Sequence, residues 1–125
     1  MENLKDFLSM SEKEKIRRIK SLDPEEVIRI LTSVGTNALS AELLNQLAVA
    51  YNNSIQPEKA METLDLVKEQ ERDAKWYYRY GYAYAAISLR LQEKKFLYQW
   101  KALEMIEKAI TGSKTPEVID WCLEM

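Results

Sequence analysis

The sequence predicts an all-α fold, an α–α superhelix of antiparallel helix pairs with about seven helices. Three observations lead to this fold class. Only three glycines and three prolines interrupt the 125 residues, which favours long regular elements over a turn-rich β architecture. Apolar residues recur at helical spacing through most of the chain. A pattern of apolar and small residues then repeats after 33 residues, as from Leu44 to Tyr77.

The segment from Trp76 to Tyr84 is rich in aromatic residues and admits two interpretations. Its alternating aromatic side chains would suit one face of a β-strand. The shift of 33 residues decides against the strand, because it superposes two sets of four residues that share the helical spacing 0, 3, 4, 7. The sets are Leu44, Leu47, Ala48 and Tyr51, and Tyr77, Tyr80, Gly81 and Tyr84. We therefore predict a helix whose second set faces the core, with Trp76 packed between repeats.

The first two predicted helices have clear start signals. Ser11 and Glu14 form a capping box for a helix from Ser11 to Lys20. Its basic and acidic residues are interleaved, which indicates a solvent-facing surface. Pro24 occupies the first position of a second helix, which ends at Gly35. Together these helices form a predicted N-terminal hairpin or cap, residues 1–39.

The first predicted repeat, residues 40–73, contains the next helix pair. Ser40 caps a helix that runs to about Asn52. Pro57 opens its partner, which runs to about Gln70. The short connection between them predicts an antiparallel pair.

The second predicted repeat, residues 74–114, has longer helices. Asp73 caps a helix to about Leu91, and its partner runs from about Lys95 to Ile110. The shift here grows to 42 residues, as from Ala60 to Ala102, so about nine residues are inserted. They include no glycine or proline, which predicts that both helices are extended. Residues 115–125 are predicted to form a C-terminal capping helix.

Three kinds of position together resemble the tetratricopeptide repeat, especially its bacterial members. They are the small residues Ala48 and Gly81, the aromatic residues Tyr51 and Tyr84, and the alanines Ala60 and Ala102. In that family each repeat of about 34 residues is a pair of helices, A and B. Ala or Gly is needed where the two helices cross closely, and a larger residue fills the space one turn on. The resemblance implies a scaffolding or peptide-recognition module.

The family places its binding surface on the concave side, on helix A residues that do not face helix B. Mapped here, the partner-binding candidates are Asn45, Gln46, Val49, Asn52 and Asn53 in one repeat, and Lys75, Tyr78, Arg79 and Tyr82 in the next. Asparagine and glutamine can donate to and accept from an extended backbone. Tyrosines supply stiff contact area, and the two cations suit an acidic group.

The composition excludes several other functions. Eighteen basic residues nearly balance twenty acidic ones, so no nucleic-acid or membrane partner is expected. Histidine is absent and Cys122 is the single cysteine, which disfavours metal sites and catalytic triads. No glycine-rich phosphate loop is present, so no cofactor is expected. The N-terminal residues lack the apolar stretch of a secretory signal, and a cytoplasmic location is expected.

These observations predict a non-enzymatic protein–protein interaction module that binds a peptide or protein partner on the concave helix A face. The alternative is a structural homo-oligomer, such as a homodimer, or a regulatory subunit whose groove is filled by self-association. A stack of two repeats is short, and each repeat depends on its neighbours for burial. Self-association would supply such a neighbour.

Overall fold

A computed structural model describes residues 3–90 and 95–112, and within them the fold is all-α. No strand occurs in these residues. The helices are α1 Leu4–Leu8, α2 Glu12–Ser21, α3 Pro24–Val34, α4 Ala41–Asn53, α5 Pro57–Asp65, α6 Ala74–Arg90 and α7 Lys95–Gly112, with single 3₁₀ turns at Thr36–Ala38 and Glu69–Glu71. The predicted fold class is therefore confirmed. None of the described helices is long and apolar enough to cross a membrane.

Side-chain caps open the helices where the sequence predicts them. Each capping oxygen accepts a hydrogen bond from the backbone N–H three residues on, which satisfies a donor that the first helical turn leaves unpaired. The caps are Ser11 at 3.2 Å, Asp23 at 2.9 Å, Ser40 at 3.2 Å and Asp73 at 2.9 Å. Local chemistry therefore determines the start of four of these helices.

Two features of the helices differ from the prediction. Helix α1 was not predicted, because it is only five residues long and its stability depends on burying Phe7 in the core. Helix α5 ends at Asp65 and not near Gln70. The chain leaves the helix so that Val67 is buried. The Arg72 guanidinium then donates to the Val67 carbonyl at 3.1 Å, which replaces a bond that the helix would have made.

The C-terminal part of the prediction lies outside the described residues. It comprises the capping helix, residues 115–125, with Cys122. The predicted end of α6 near Leu91 falls at the edge of the described residues, where α6 extends to Arg90.

Successive helices pack against each other from α3 to α7, and α2 packs across α4. The Ser40 hydroxyl donates to the Glu12 carboxylate at that α2–α4 contact. Short connections make α4 and α5 antiparallel, and likewise α5 and α6. Helices α4 and α6 are thus parallel neighbours, and their exposed sides form one surface.

Small residues lie where the paired helices approach most closely, as the sequence predicts. Ala48 of α4 and Ala60 of α5 are fully buried. At the α6–α7 contact, a Cβ atom added to Gly81 would lie 3.0 Å from Ile106 Cδ1 and 3.1 Å from Met105 Cβ. Neither distance leaves room for a methyl group without movement of α7.

Trp76 and Tyr80 attach α6 to the end of α5. The Trp76 indole N–H donates to the Leu64 carbonyl at 2.8 Å, and the Tyr80 hydroxyl donates to the Asp65 carboxylate at 2.9 Å. The two rings pack with centroids 4.9 Å apart. Tyr77 and Tyr84 are partly buried against the same core. The predicted core face of α6 is therefore confirmed, and Trp76 packs between the two helix pairs.

We expect Gly81→Ala to destabilise the protein by about 1 kcal/mol. Alanine improves helix propensity by about 1 kcal/mol, whereas overpacking a close helix contact costs about 1 to 3 kcal/mol. Gly112→Ala is the matched control, because a Cβ there meets no atom of the described residues within 4 Å. Urea denaturation measures both. A Gly81→Ala protein as stable as the Gly112→Ala control would contradict the close packing of α6 and α7.

Burial, together with the hydrogen bond to Asp65, raises the pKa of Tyr80. The folded state therefore retains this proton above pH 10, where tyrosine in the unfolded chain loses it. The free energy of unfolding should fall as pH rises above about 10, with a slope of up to about 1.4 kcal/mol per pH unit from this one proton. In Tyr80→Phe that contribution is absent, so the fall should be shallower. Urea denaturation between pH 8 and 11 tests this, and parallel curves would contradict it.

Candidate functional site

The surface between α4 and α6 contains a cavity of about 390 Å³, here called the α4–α6 groove. Its lining residues are Lys20, Gln46, Val49, Asn52, Asn53, Lys75, Tyr78, Arg79 and Tyr82. The spacing on each helix follows the helical period, so one stripe of α4 lies beside one stripe of α6. Because the two helices are parallel neighbours, the stripes form the two sides of one groove.

The structure brings all the predicted partner-binding residues together in this groove except Asn45. Asn45 is only 4% exposed and lies beneath the surface. Its amide N–H donates to the Ala41 carbonyl at 2.9 Å, and its Oδ1 accepts from the Arg79 guanidinium at 3.0 Å. Asn45 therefore supports Arg79 and does not line the groove. The residues of α4 that line the groove therefore form a stripe that is rotated slightly around the helix axis from the predicted stripe.

Arg79 is held at the base of the groove from two directions. Its side chain is bonded to Asn45, while its backbone carbonyl accepts from the Asn52 amide at 3.2 Å. Only 8% of Arg79 is exposed. A guanidinium so far from water requires acceptors with good geometry. The two asparagines, which lie two turns apart on α4, thus fix the position of α6 along the axis of α4.

Asn52 carries an unsatisfied acceptor at the edge of this network. Its Oδ1 is buried and has no hydrogen-bond partner within the described part of the chain. A buried polar atom without a partner costs about 1 to 3 kcal/mol. Asn52 also lines the groove, so this unused acceptor belongs to a side chain at the border of the site.

Two tyrosines form the aromatic side of the groove. Tyr78 and Tyr82 are one turn apart on α6, with ring centroids 6.4 Å apart. Tyr82 is 38% exposed. Tyr78 is more covered, because it also packs against the cluster around Ala109 of α7. The remaining tyrosines of this helix face the core. One face of α6 therefore packs against the core and another lines the groove, as the period of 3.6 residues predicts.

Basic side chains are concentrated along the groove, although the whole chain has a formal net charge of −2. Three cations line it, namely Lys20, Lys75 and Arg79, and no carboxylate is among the described residues that line it. From the sequence, Lys20 is expected on a solvent-facing surface of α2. No local signal distinguishes it from its basic neighbours on α2. Only the packing of α2 across α4 brings this lysine to the groove.

We expect a double-mutant cycle to measure a coupling of about 1.5 to 3 kcal/mol between Asn45 and Arg79, the range for hydrogen bonds to charged groups. Asn45→Ala leaves the buried guanidinium without an acceptor and should reduce the free energy of unfolding. The matched control is Asn53→Ala, an exposed asparagine of the same helix, which should change stability by less than about 0.5 kcal/mol. Equal losses from the two alanines in urea denaturation would contradict the supporting role of Asn45.

Known proteins give no guide to this groove. No protein-family description, curated protein or solved structure matches the chain.

Proposed function

We propose that the protein is a non-enzymatic interaction module that binds an extended peptide segment of a partner protein in the α4–α6 groove. The observation that carries this proposal is the composition of the groove. One cavity combines two tyrosines, three side-chain amides and three cations from three helices. Binding sites for flexible polar chains combine rigid aromatic surface with adaptable hydrogen-bonding groups in this way.

The amides are suited to recognise the peptide backbone. Gln46, Asn52 and Asn53 each carry a donor and an acceptor, and an extended strand presents alternating N–H and C=O groups. The buried Asn52 Oδ1, which has no partner within the described residues, supports the same conclusion. A backbone N–H of the ligand would satisfy it.

The tyrosines and cations are suited to the ligand's side chains. Tyr78 and Tyr82 offer a pair of rings on which an apolar or aromatic side chain would pack. Lys75 and Lys20 place positive charge on the groove walls, so an acidic side chain is the favoured polar group. The described lining contains no carboxylate, thiol or histidine.

We further propose that α4–α5 and α6–α7 are tetratricopeptide-like repeats. Support comes from the positions that carry the resemblance in sequence. Ala48 of α4 and Ala60 of α5 are both fully buried. Gly81 allows the close approach of α6 and α7. The groove would then be the concave helix A surface of a short array.

A library of random decapeptides displayed on phage tests the proposed function. We expect enrichment on the wild-type protein, and at least fivefold weaker binding of the enriched peptides to Tyr78→Ser and Tyr82→Ser, since truncation of an aromatic anchor costs more than about 1 kcal/mol. The control is Trp100→Ser, because Trp100 is 65% exposed on α7 and does not line the groove. Fluorescence anisotropy of labelled peptides measures the affinities.

Two outcomes would contradict the proposal. One is that no peptide is enriched over the Tyr78→Ser, Tyr82→Ser double variant. The other is that Trp100→Ser weakens peptide binding as much as the groove variants do. Circular dichroism of each variant shows whether it is folded, so loss of binding is not confused with loss of structure.

Self-association is a second candidate, favoured by one observation. Helix α7 exposes large apolar side chains, among them Leu97, Trp100 and Leu103. Exposed apolar patches of this kind often mark protein contacts. Sedimentation velocity over a range of concentrations tests it. An oligomer that dissociates in Trp100→Ser but not in Tyr78→Ser would place the contact on α7 and leave the groove open for peptide.

A further inference from the structure

The α4–α6 groove continues beyond α4 through two more cavities. A second cavity of about 190 Å³ shares Gln46, Val49 and Asn53 with it, and also shares Lys20. A third cavity, of about 420 Å³, shares Asn53 with both and Pro24 with the second. The shared lining residues show that the three cavities are neighbours, and together they are here called the extended groove. It runs from α6, across α4, to the start of α3.

The chemistry of the extended groove changes in order along its length. Its α6 end carries Lys75 and the largely buried Arg79, together with the exposed Tyr82 and the half-buried Tyr78. Its middle has an apolar lining with Lys20 at its edge, and the apolar residues are Ile19, Leu22, Pro24, Val27, Val49 and Ala50. Its α3 end carries Asp23 and Glu25.

The acidic end is exposed and available to a ligand. Asp23 caps α3 through one carboxylate oxygen, which accepts the Glu26 N–H at 2.9 Å, yet its side chain stays at the surface. Glu25, in the first turn of α3, is also exposed. Two carboxylates beside one end of a groove attract a cation, just as Lys75 at the other end attracts an anion.

The length of the extended groove sets the length of its ligand. It crosses about two helix-to-helix spacings of roughly 8 to 10 Å each. A span of about 20 Å corresponds to about six residues of extended chain at roughly 3.3 Å per residue. One continuous peptide can therefore contact both charged ends at once.

We propose that the extended groove selects peptides by the order of their charges. The ligand is an extended segment with acidic residues at one end, an apolar residue in the middle and basic residues about six positions from the acidic ones. The acidic end lies at α6, the apolar side chain at the middle cavity and the basic end at α3. A segment with charges mixed along its length would place like charges together at both ends, which is unfavourable. This inference rests on the proposed function and adds the chemistry and orientation of the ligand.

Three capped synthetic nonapeptides of identical composition test the order. The first is acetyl-Asp-Glu-Ser-Ala-Leu-Ala-Ser-Lys-Arg-amide, the second is the same sequence reversed, and the third alternates the acidic and basic residues. Three surface ion pairs, with Lys75, Asp23 and Glu25, worth about 0.2 to 1 kcal/mol each, predict that the first or second peptide binds about tenfold more tightly than the third. Fluorescence anisotropy at low ionic strength measures the three dissociation constants. Equal affinities for all three would overturn the proposal.

A charge reversal at the α3 end tests the orientation. Glu25→Lys should reduce the preference for charge-segregated peptides at least threefold and should strengthen binding of a peptide with acidic residues at both ends. Asp23→Asn, which retains a capping side chain, should act in the same direction. The matched control is Glu107→Lys, an equal charge change at an exposed site of α7. An unchanged preference in Glu25→Lys, or the same change in the control, would overturn the orientation.

The phage selection separates failure of this inference from failure of the proposed function. The selection could yield peptides whose binding depends on Tyr78 but whose charges follow another order. That outcome would contradict the proposed charge order and would not contradict the peptide-binding function. Absence of any Tyr78-dependent peptide overturns both. Self-association that is lost in both Tyr78→Ser and Glu25→Lys would show a second copy of the chain in the extended groove, which also overturns the proposed peptide ligand.

Discussion

The polar contact between α4 and α6 through Arg79 is the constraint on which the groove depends. Asn45 accepts from the Arg79 guanidinium, and Asn52 donates to the Arg79 carbonyl. Apolar contacts are non-directional and tolerate small sliding of one helix along another, whereas a buried guanidinium tolerates neither rotation nor sliding away from its acceptor. The pair of asparagines therefore sets the relative position of the two recognition stripes. Without this contact, Asn52 of α4 and Tyr78 of α6 would not be held together in one site.

Helix α5 makes this arrangement possible because it ends early. Its termination at Asp65 leaves carbonyls that Trp76 and Arg72 satisfy. The Arg72 guanidinium also lies 4.5 Å from the centre of the Trp76 ring. These contacts connect the end of one helix pair to the start of the next. In a stacked array such contacts between neighbours supply much of the stability that no single pair has alone.

Much of the fold follows from local signals in the sequence, but two features do not. The caps at Ser11, Asp23, Ser40 and Asp73 depend on side chains and N–H groups three residues apart, so the sequence predicts them. The end of α5 depends on Arg72 reaching back to the Val67 carbonyl, and α1 depends on a core site for Phe7. Helix propensity carries no information about either contact. The presence of a periodic helix is therefore predictable from the sequence, whereas the residue at which it ends is not.

The sequence by itself determined where the longer helices begin and which face of α4 and α6 is available, because the helix caps, the period of 3.6 and the repeat of 33 residues are properties of the chain alone. Only the tertiary structure decided which of these residues share a site. It placed Asn45 beneath the groove as a support for Arg79 and added Lys20 from α2. Both outcomes depend on contacts between residues more than 25 positions apart, such as Asn45 with Arg79. The physical reason is that periodicity specifies the direction of a side chain around its own helix, whereas burial and charge partners depend on how the helices pack.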